Sequence, residues 1–145
     1  MSNQEQLHFR IGLSATKWDK KPQWRILLNN TEVASGTSDS SLEYTEFDYE
    51  VTEGVQRLVI QLLNKDNSDT VENADKTAIV KDMLLHIKSI EIDEIDLGSL
   101  LWSKGTFVAQ DPARPTLANC VDLGWNGDWC LEFDSPFYIW LLESL

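Results

Sequence analysis

From residue 7 to residue 63 the apolar positions recur in short runs of period two, broken by clusters of Asn, Asp, Ser and Gly, and this spacing predicts strands rather than helices. Leu7 to Leu13 sets Leu7, Phe9, Ile11 and Leu13 on one face and His8 and Arg10 on the other. Trp24 to Leu28 is a second strand, and Thr31 to Ala34 returns after Asn29-Asn30, a pair that tolerates the positive φ of a tight hairpin turn. Ser35 to Ser41 has the composition of a loop. Tyr44 to Val51 then alternates, with Thr45, Phe47, Tyr49 and Val51 facing a core and Glu46, Asp48 and Glu50 facing out. After a turn at Glu53-Gly54, Arg57 to Leu63 is nearly all apolar, the pattern of a central strand covered on both faces.

The second half is less regular. A polar stretch from Asn64 to Thr77 leads into Ile79 to Ile92, where the apolar parity switches at Lys88-Ser89 and predicts a β-bulge or a bend. Asp93-Glu94 can turn the chain back through Ile95 and Leu97, and Pro112 and Pro115 mark an irregular connection. Asn126-Gly127 is the strongest hairpin signal in the chain. A two-residue loop there would set Cys130 opposite Leu123 and Cys120 opposite Phe133, with the thiols on opposite faces and no disulfide between them. The segments together predict one all-β domain over residues 1–145, an antiparallel, jelly-roll-like β-sandwich, with residues 1–6 as a flexible N-terminus.

The C-terminal segment breaks the pattern. Phe137, Tyr138, Ile139, Trp140, Leu141 and Leu142 are apolar without interruption. Ser135-Pro136 can start a short helix, or the run is a last strand; either way both of its faces are apolar, and the six residues are assigned to a protein–protein interface.

Charge and motifs narrow the function. Twelve Lys and Arg against twenty-four Asp and Glu leave a net charge of −12, which opposes binding to nucleic acid or anionic membranes. The N-terminus lacks the features of a secretory signal and no run is long enough to span a bilayer, so synthesis in the cytoplasm is expected. There are two histidines, His8 and His86, both in strand-like segments, and no phosphate loop, nucleophile elbow or paired His motif. A non-enzymatic protein is expected. The stretch from Asn64 to Thr70, with Glu72, Asp75 and Asp82 beyond it, concentrates oxygen donors suited to a hard cation, yet an EF-hand starting at Asp66 fails, with Val71 and Thr77 where Gly and Glu belong. Among six tryptophans, Trp18 in a charged loop and Trp125 beside a turn are the expected exposed ones, available to stack on sugar rings, while Trp24, Trp102 and Trp129 are assigned to the core.

The order of Trp24 to Asn30, Leu58 to Asp66, Asp82-Met83-Leu84-Leu85 and Ser89 to Asp93 resembles the calcium-dependent carbohydrate-binding modules of the xylan-binding type, over about residues 7–98. The resemblance implies a β-sandwich whose loop carboxylates hold calcium that in turn coordinates sugar hydroxyls, and it nominates Asp66 and Asp82, with Asn64, as ligands. The chain departs from that pattern at Lys65, inserted between Asn64 and Asp66, and at Met83-Leu84; a lysine beside a cation site opposes binding. An acidic sandwich with an apolar terminus also looks like the small decoration or tail-associated proteins of bacteriophage virions. That likeness implies a structural subunit, a homo-oligomer or one docked on a virion protein; the alternative is a calcium-dependent glycan binder.

Overall fold

In a computed structural model, described for residues 3–145, the chain forms thirteen strands and two helices. In order they are β1 (Gln4–Thr16), β2 (Gln23–Leu28), β3 (Thr31–Thr37), β4 (Glu43–Thr52), β5 (Gly54–Leu62), β6 (Val71–Glu72), β7 (Ile79–Lys81), β8 (Leu84–Ile92), β9 (Ile95–Asp96), α1 (Leu100–Lys104), β10 (Thr106–Ala109), β11 (Leu117–Ala118), β12 (Asp122–Leu123), β13 (Gly127–Ser135) and α2 (Phe137–Ser144). One sheet runs β12-β8-β1-β4, with β9 added to β8; the facing sheet runs β11-β10-β13-β5-β2-β3. All pairings are antiparallel. The predicted sandwich is the observed fold. No helix among the described residues is long and apolar enough to cross a membrane.

The core lies between the sheets because the period-two pattern sends one side chain in every pair inward. Leu7, Phe9 and Ile11 of β1 and Leu85, Ile90 and Ile92 of β8 meet Ile26, Leu58, Ile60, Trp129, Leu131 and Phe133 of the opposite sheet, all of them buried. Phe9 bridges the layers, stacked on Phe47 at 4.9 Å and tilted against Phe133 at 6.1 Å. β5 sits between β13 and β2, the central place its apolar run predicts. The bulge is also found: opposite Gly12 stands Ser89, opposite Leu13 stands Ile87, and Lys88 is the extra residue. Asn29-Asn30 and Asp93-Glu94 turn with positive φ at both positions.

Several expectations are corrected. Gln4, Glu5 and Gln6 are not a flexible tail; they pair with Thr52, Val51 and Glu50 of β4, while Met1 and Ser2 lie outside the described residues. The loop expected from Ser35 begins later, since β3 continues to Thr37. Asn126-Gly127 is not a hairpin. The chain crosses there from one sheet to the other, β12 pairing with β8 and β13 with β5 and β10. Gly127 is required by close approach rather than by turn dihedrals, because a Cβ would collide with the Val108 carbonyl. Cys130 consequently faces Val59 and Thr106, not Leu123; both cysteines are free, as expected, but for a different reason.

The C-terminal run is the helix α2, and half of it is core. Phe137, Trp140 and Leu141 are buried against Phe133, with ring centroids 6.2 Å and 6.0 Å from Phe133 for Phe137 and Trp140, so these three are not interface residues. Tyr138, Ile139 and Leu142 remain exposed. The helix has no side-chain cap of its own; instead Glu5 of β1 accepts hydrogen bonds from Phe137 N (3.0 Å) and Ser135 Oγ (2.8 Å), joining the first strand to the last helix.

On the outer face of β1 and β4, His8 lies between Asp48 (2.7 Å) and Glu46 (3.0 Å). Hydrogen bonding to Glu46, then to Asp48, raises its pKa above the ordinary 6.5. Protonated His8 therefore favours the fold, a contribution complete below pH 6.5 and lost as pH rises through the folded-state value. A proton NMR titration is expected to give a His8 pKa above that of an unstructured histidine, and Glu46→Gln is expected to lower it; an unchanged value would count against the pairing.

Candidate functional site

Where β5 ends, the chain leaves the sheet and wraps one end of the sandwich before re-entering it at β8. Lys65 and Asp66, a 3-10 turn at Asn67–Asp69 and the separate hairpin of β6 and β7 make one side of a cleft. The β10–β11 loop, with Gln110 and Arg114, and the crossover Gly124-Trp125-Asn126 make the other. The space between them is about 810 Å³, within the usual range of small-ligand sites. Asn126 ties the sides together: its Oδ1 accepts from Lys65 N (2.8 Å) and its Nδ2 donates to Lys65 O (3.0 Å), so a side chain imitates one rung of a β-ladder.

Lys65 and Asp82 form the polar centre. The Lys65 side chain is only 8% exposed, and its ammonium donates to Asp82 Oδ1 at 2.7 Å and to the Gly124 carbonyl at 2.5 Å. Asp82 Oδ1 also accepts from Thr70 Oγ1 (2.7 Å) and Met83 N (2.8 Å). Burial pushes the Asp82 carboxyl up, but the bonds from Lys65, Thr70 and Met83 outweigh it and hold the pKa below the usual carboxylate value. The wall beside this pair is Trp125, half-buried, with the Arg114 guanidinium 4.4 Å from its ring centre and Phe107 at 5.9 Å. The Trp125 indole N–H is buried and finds no acceptor among the described residues.

The residues nominated from sequence do not all meet. Asp66, Asp82 and Trp125 line the cleft. Asn64 does not: its Oδ1 accepts from Gln23 N (2.8 Å) and its Nδ2 donates to Lys21 O (3.0 Å), so it pins the β1–β2 loop. Trp18 is exposed but does not line the cleft, its indole donating to Asp69 O (2.8 Å) and the Lys81 ammonium standing 4.9 Å over its ring. Trp102, assigned to the core, is 53% exposed on α1, which instead buries Leu100 and Leu101. Sequence reasoning missed Asp69 and Lys20. Asp69 is buried; its Oδ2 accepts from Asp66 N (2.7 Å) and lies 3.0 Å from the Lys20 ammonium, which also bonds Asp66 Oδ2 at 2.8 Å. The three-residue spacing of Asp66 and Asp69 is a reciprocal cap on the 3-10 turn, a signal that was present in the sequence.

This donor set does not fit calcium. Each nominated carboxylate is already matched by an ammonium, Asp82 by Lys65 and Asp66 by Lys20, and Asn64 points elsewhere. Among the described residues, no three His, Cys, Asp or Glu side chains come together in a group that could hold a metal ion.

No protein-family model matches the chain, and no curated protein sequence does. Two solved structures do. One is vCBM60 in complex with galactobiose, 8% identical, covering 86% of this chain and 96% of its own with a TM-score of 0.57. The other is a selenomethionine form of vCBM60, described as linking two families of calcium-dependent carbohydrate binding modules by circular permutation; it is 9% identical, covers 86% of this chain and 89% of its own, and has a TM-score of 0.55. At such identity the likeness is one of fold. It is to carbohydrate-binding modules, and nothing in it points to a virion.

Proposed function

We propose that this chain is a non-catalytic carbohydrate-binding domain and that the cleft around Lys65, Asp82 and Trp125 is its glycan site. The observation that carries the proposal is the cleft itself. An open cavity of mixed polar and apolar lining, with an aromatic wall and converging amide, carboxylate and ammonium groups, offers what a sugar needs, an apolar surface for one ring face and directional partners for its hydroxyls. The shared sandwich with a module that was solved with galactobiose supports the same reading. The test is an array of plant and bacterial polysaccharides. Binding to at least one is expected, weakened about tenfold or more in Trp125→Ala, which corresponds to ~1.4 kcal/mol or more; no signal on any glycan overturns the proposal.

A second reading, a subunit of a larger assembly, is favoured by one observation, the exposed row of Tyr138, Ile139, Leu142 and Leu145 along and just beyond α2. Light scattering tests it. An oligomer that dissociates in Ile139→Asp supports an assembly role, and a monomer at all concentrations counts against it.

A further inference from the structure

We infer that Lys65 and Asp82 together hold a vicinal diol of a neutral glycan directly, the buried ammonium serving in place of a divalent cation, so that binding is independent of calcium. The inference rests on the glycan-binding function proposed above and goes beyond it by naming the groups that read the sugar and the charge of the sugar they accept.

An ammonium has three donors, and Lys65 uses two of them, on Asp82 Oδ1 and the Gly124 carbonyl. A carboxylate accepts at both oxygens. Among the described residues, three hydrogen bonds reach Asp82, from Lys65, Thr70 and Met83; all fall on Oδ1 and none on Oδ2. The pair therefore presents one unused N–H beside one unused carboxylate oxygen in a cleft that both residues line. Adjacent sugar hydroxyls are complementary to this: one accepts from the ammonium through its oxygen, and its neighbour donates its proton to Oδ2. Both bonds are charge-assisted and short-range, and the ion pair is held at a fixed geometry by Thr70 and Met83 before any ligand arrives, so little ordering is lost on binding. A divalent cation is excluded from the same place by the ammonium, which is buried and cannot swing into water as an exposed lysine could.

The rest of the cleft sets the ligand's charge. Four carboxylates, Asp66, Glu72, Asp82 and Asp111, line it against the two cations Lys65 and Arg114. That surplus, on a chain of net charge −12, repels uronic-acid polymers and leaves neutral glycans as the ligand class.

The test is affinity electrophoresis against soluble galactan, xylan and polygalacturonate, and calorimetry with galactobiose, each with excess chelator and with millimolar calcium, beside thermal melts under both conditions. Lys65→Met and the double variant Lys65→Met/Asp82→Asn are run in parallel, the double variant guarding against misfolding of the single one, since it removes both charges of the pair. Expected are binding to galactan or xylan that differs by less than about twofold between chelator and calcium, none to polygalacturonate, a melting temperature unmoved by calcium, and a loss of about tenfold or more in the folded double variant. Binding that requires calcium, or a melt raised by it, overturns the inference and leaves the glycan function standing. A folded double variant that binds as tightly as the parent also overturns the role of the pair and spares the function. Preferential binding of polygalacturonate overturns the assignment to neutral glycans. No binding to any probe in either condition overturns the glycan function, and the diol site with it.

Discussion

Ending the chain after Ser135 is expected to unfold the domain. The apolar C-terminal run suggests an appendage that could be removed from an intact sandwich, but α2 inserts Phe137, Trp140 and Leu141 into the core beside Phe133. Loss of a buried Phe or Trp side chain costs ~3–5 kcal/mol and of a buried Leu ~2–5 kcal/mol, and a domain of this kind has only about 5–15 kcal/mol in all. Truncation also strips Glu5 of the Phe137 N–H it accepts from. Circular dichroism of the truncated chain is expected to show no cooperative melt. The milder Trp140→Ala should stay folded and lose ~3–5 kcal/mol in a urea titration. A truncated chain that melts like the parent would show that α2 is not part of the core.

Asp82→Ala is the second large effect, expected at ~3–5 kcal/mol, because it leaves the Lys65 ammonium buried without its counter-charge and also removes the acceptor of Thr70 Oγ1 and Met83 N. Asp66→Ala is the internal control. Its side chain is 73% exposed, so losing its solvent-screened contact with Lys20 should move the urea midpoint far less than Asp82→Ala does. The pH dependence follows the same pair: with its folded pKa below the ordinary 3.8, Asp82 stabilises the fold above that value, and the contribution is lost as pH falls through the folded-state pKa. Urea titrations between pH 3 and 7 should therefore show a steeper acid loss for the parent than for Asp82→Asn. Equal slopes would remove Asp82 from the account.

The parts of the fold that were legible in the sequence are those fixed by local pairing. Leu7, Phe9 and Ile11 alternate with polar residues and lie on the core face of β1; the parity change at Lys88 signals a bulge or a bend, since a period-two strand cannot otherwise keep one face inward across it, and it is the bulge that is found. What was not legible depends on contacts far away in sequence. Asn126-Gly127 has hairpin chemistry, yet its amide is taken by the Lys65 backbone and its glycine by Val108, neither of which is visible from the dipeptide. Trp102 is exposed because α1 is one turn long and spends its buried face on Leu100 and Leu101. At the site, Asp66, Asp82 and Trp125 were reached by residue type, whereas Arg114 carried no periodic signal and entered the wall only through folding. Lys65 was visible as a departure from a calcium pattern, and the structure gives that departure its physical content in the buried bond to Asp82.

The join between Glu5 and α2 gives the molecule a direction. Asn3 bonds Glu53, Glu5 bonds Ser135, and Gly54 pairs with Ser135, so the first strand, the β4–β5 turn and the entry to α2 share one pole. β5 and β13 then run side by side to Leu62 and Gly127, eight residues or roughly 26 Å away at ~3.3 Å per residue, and open directly into the cleft. A tether, a label or a solid support attached at the start of the first strand, near Gln4 and Glu5, is thus held about a strand length from the cleft and leaves its mouth unobstructed.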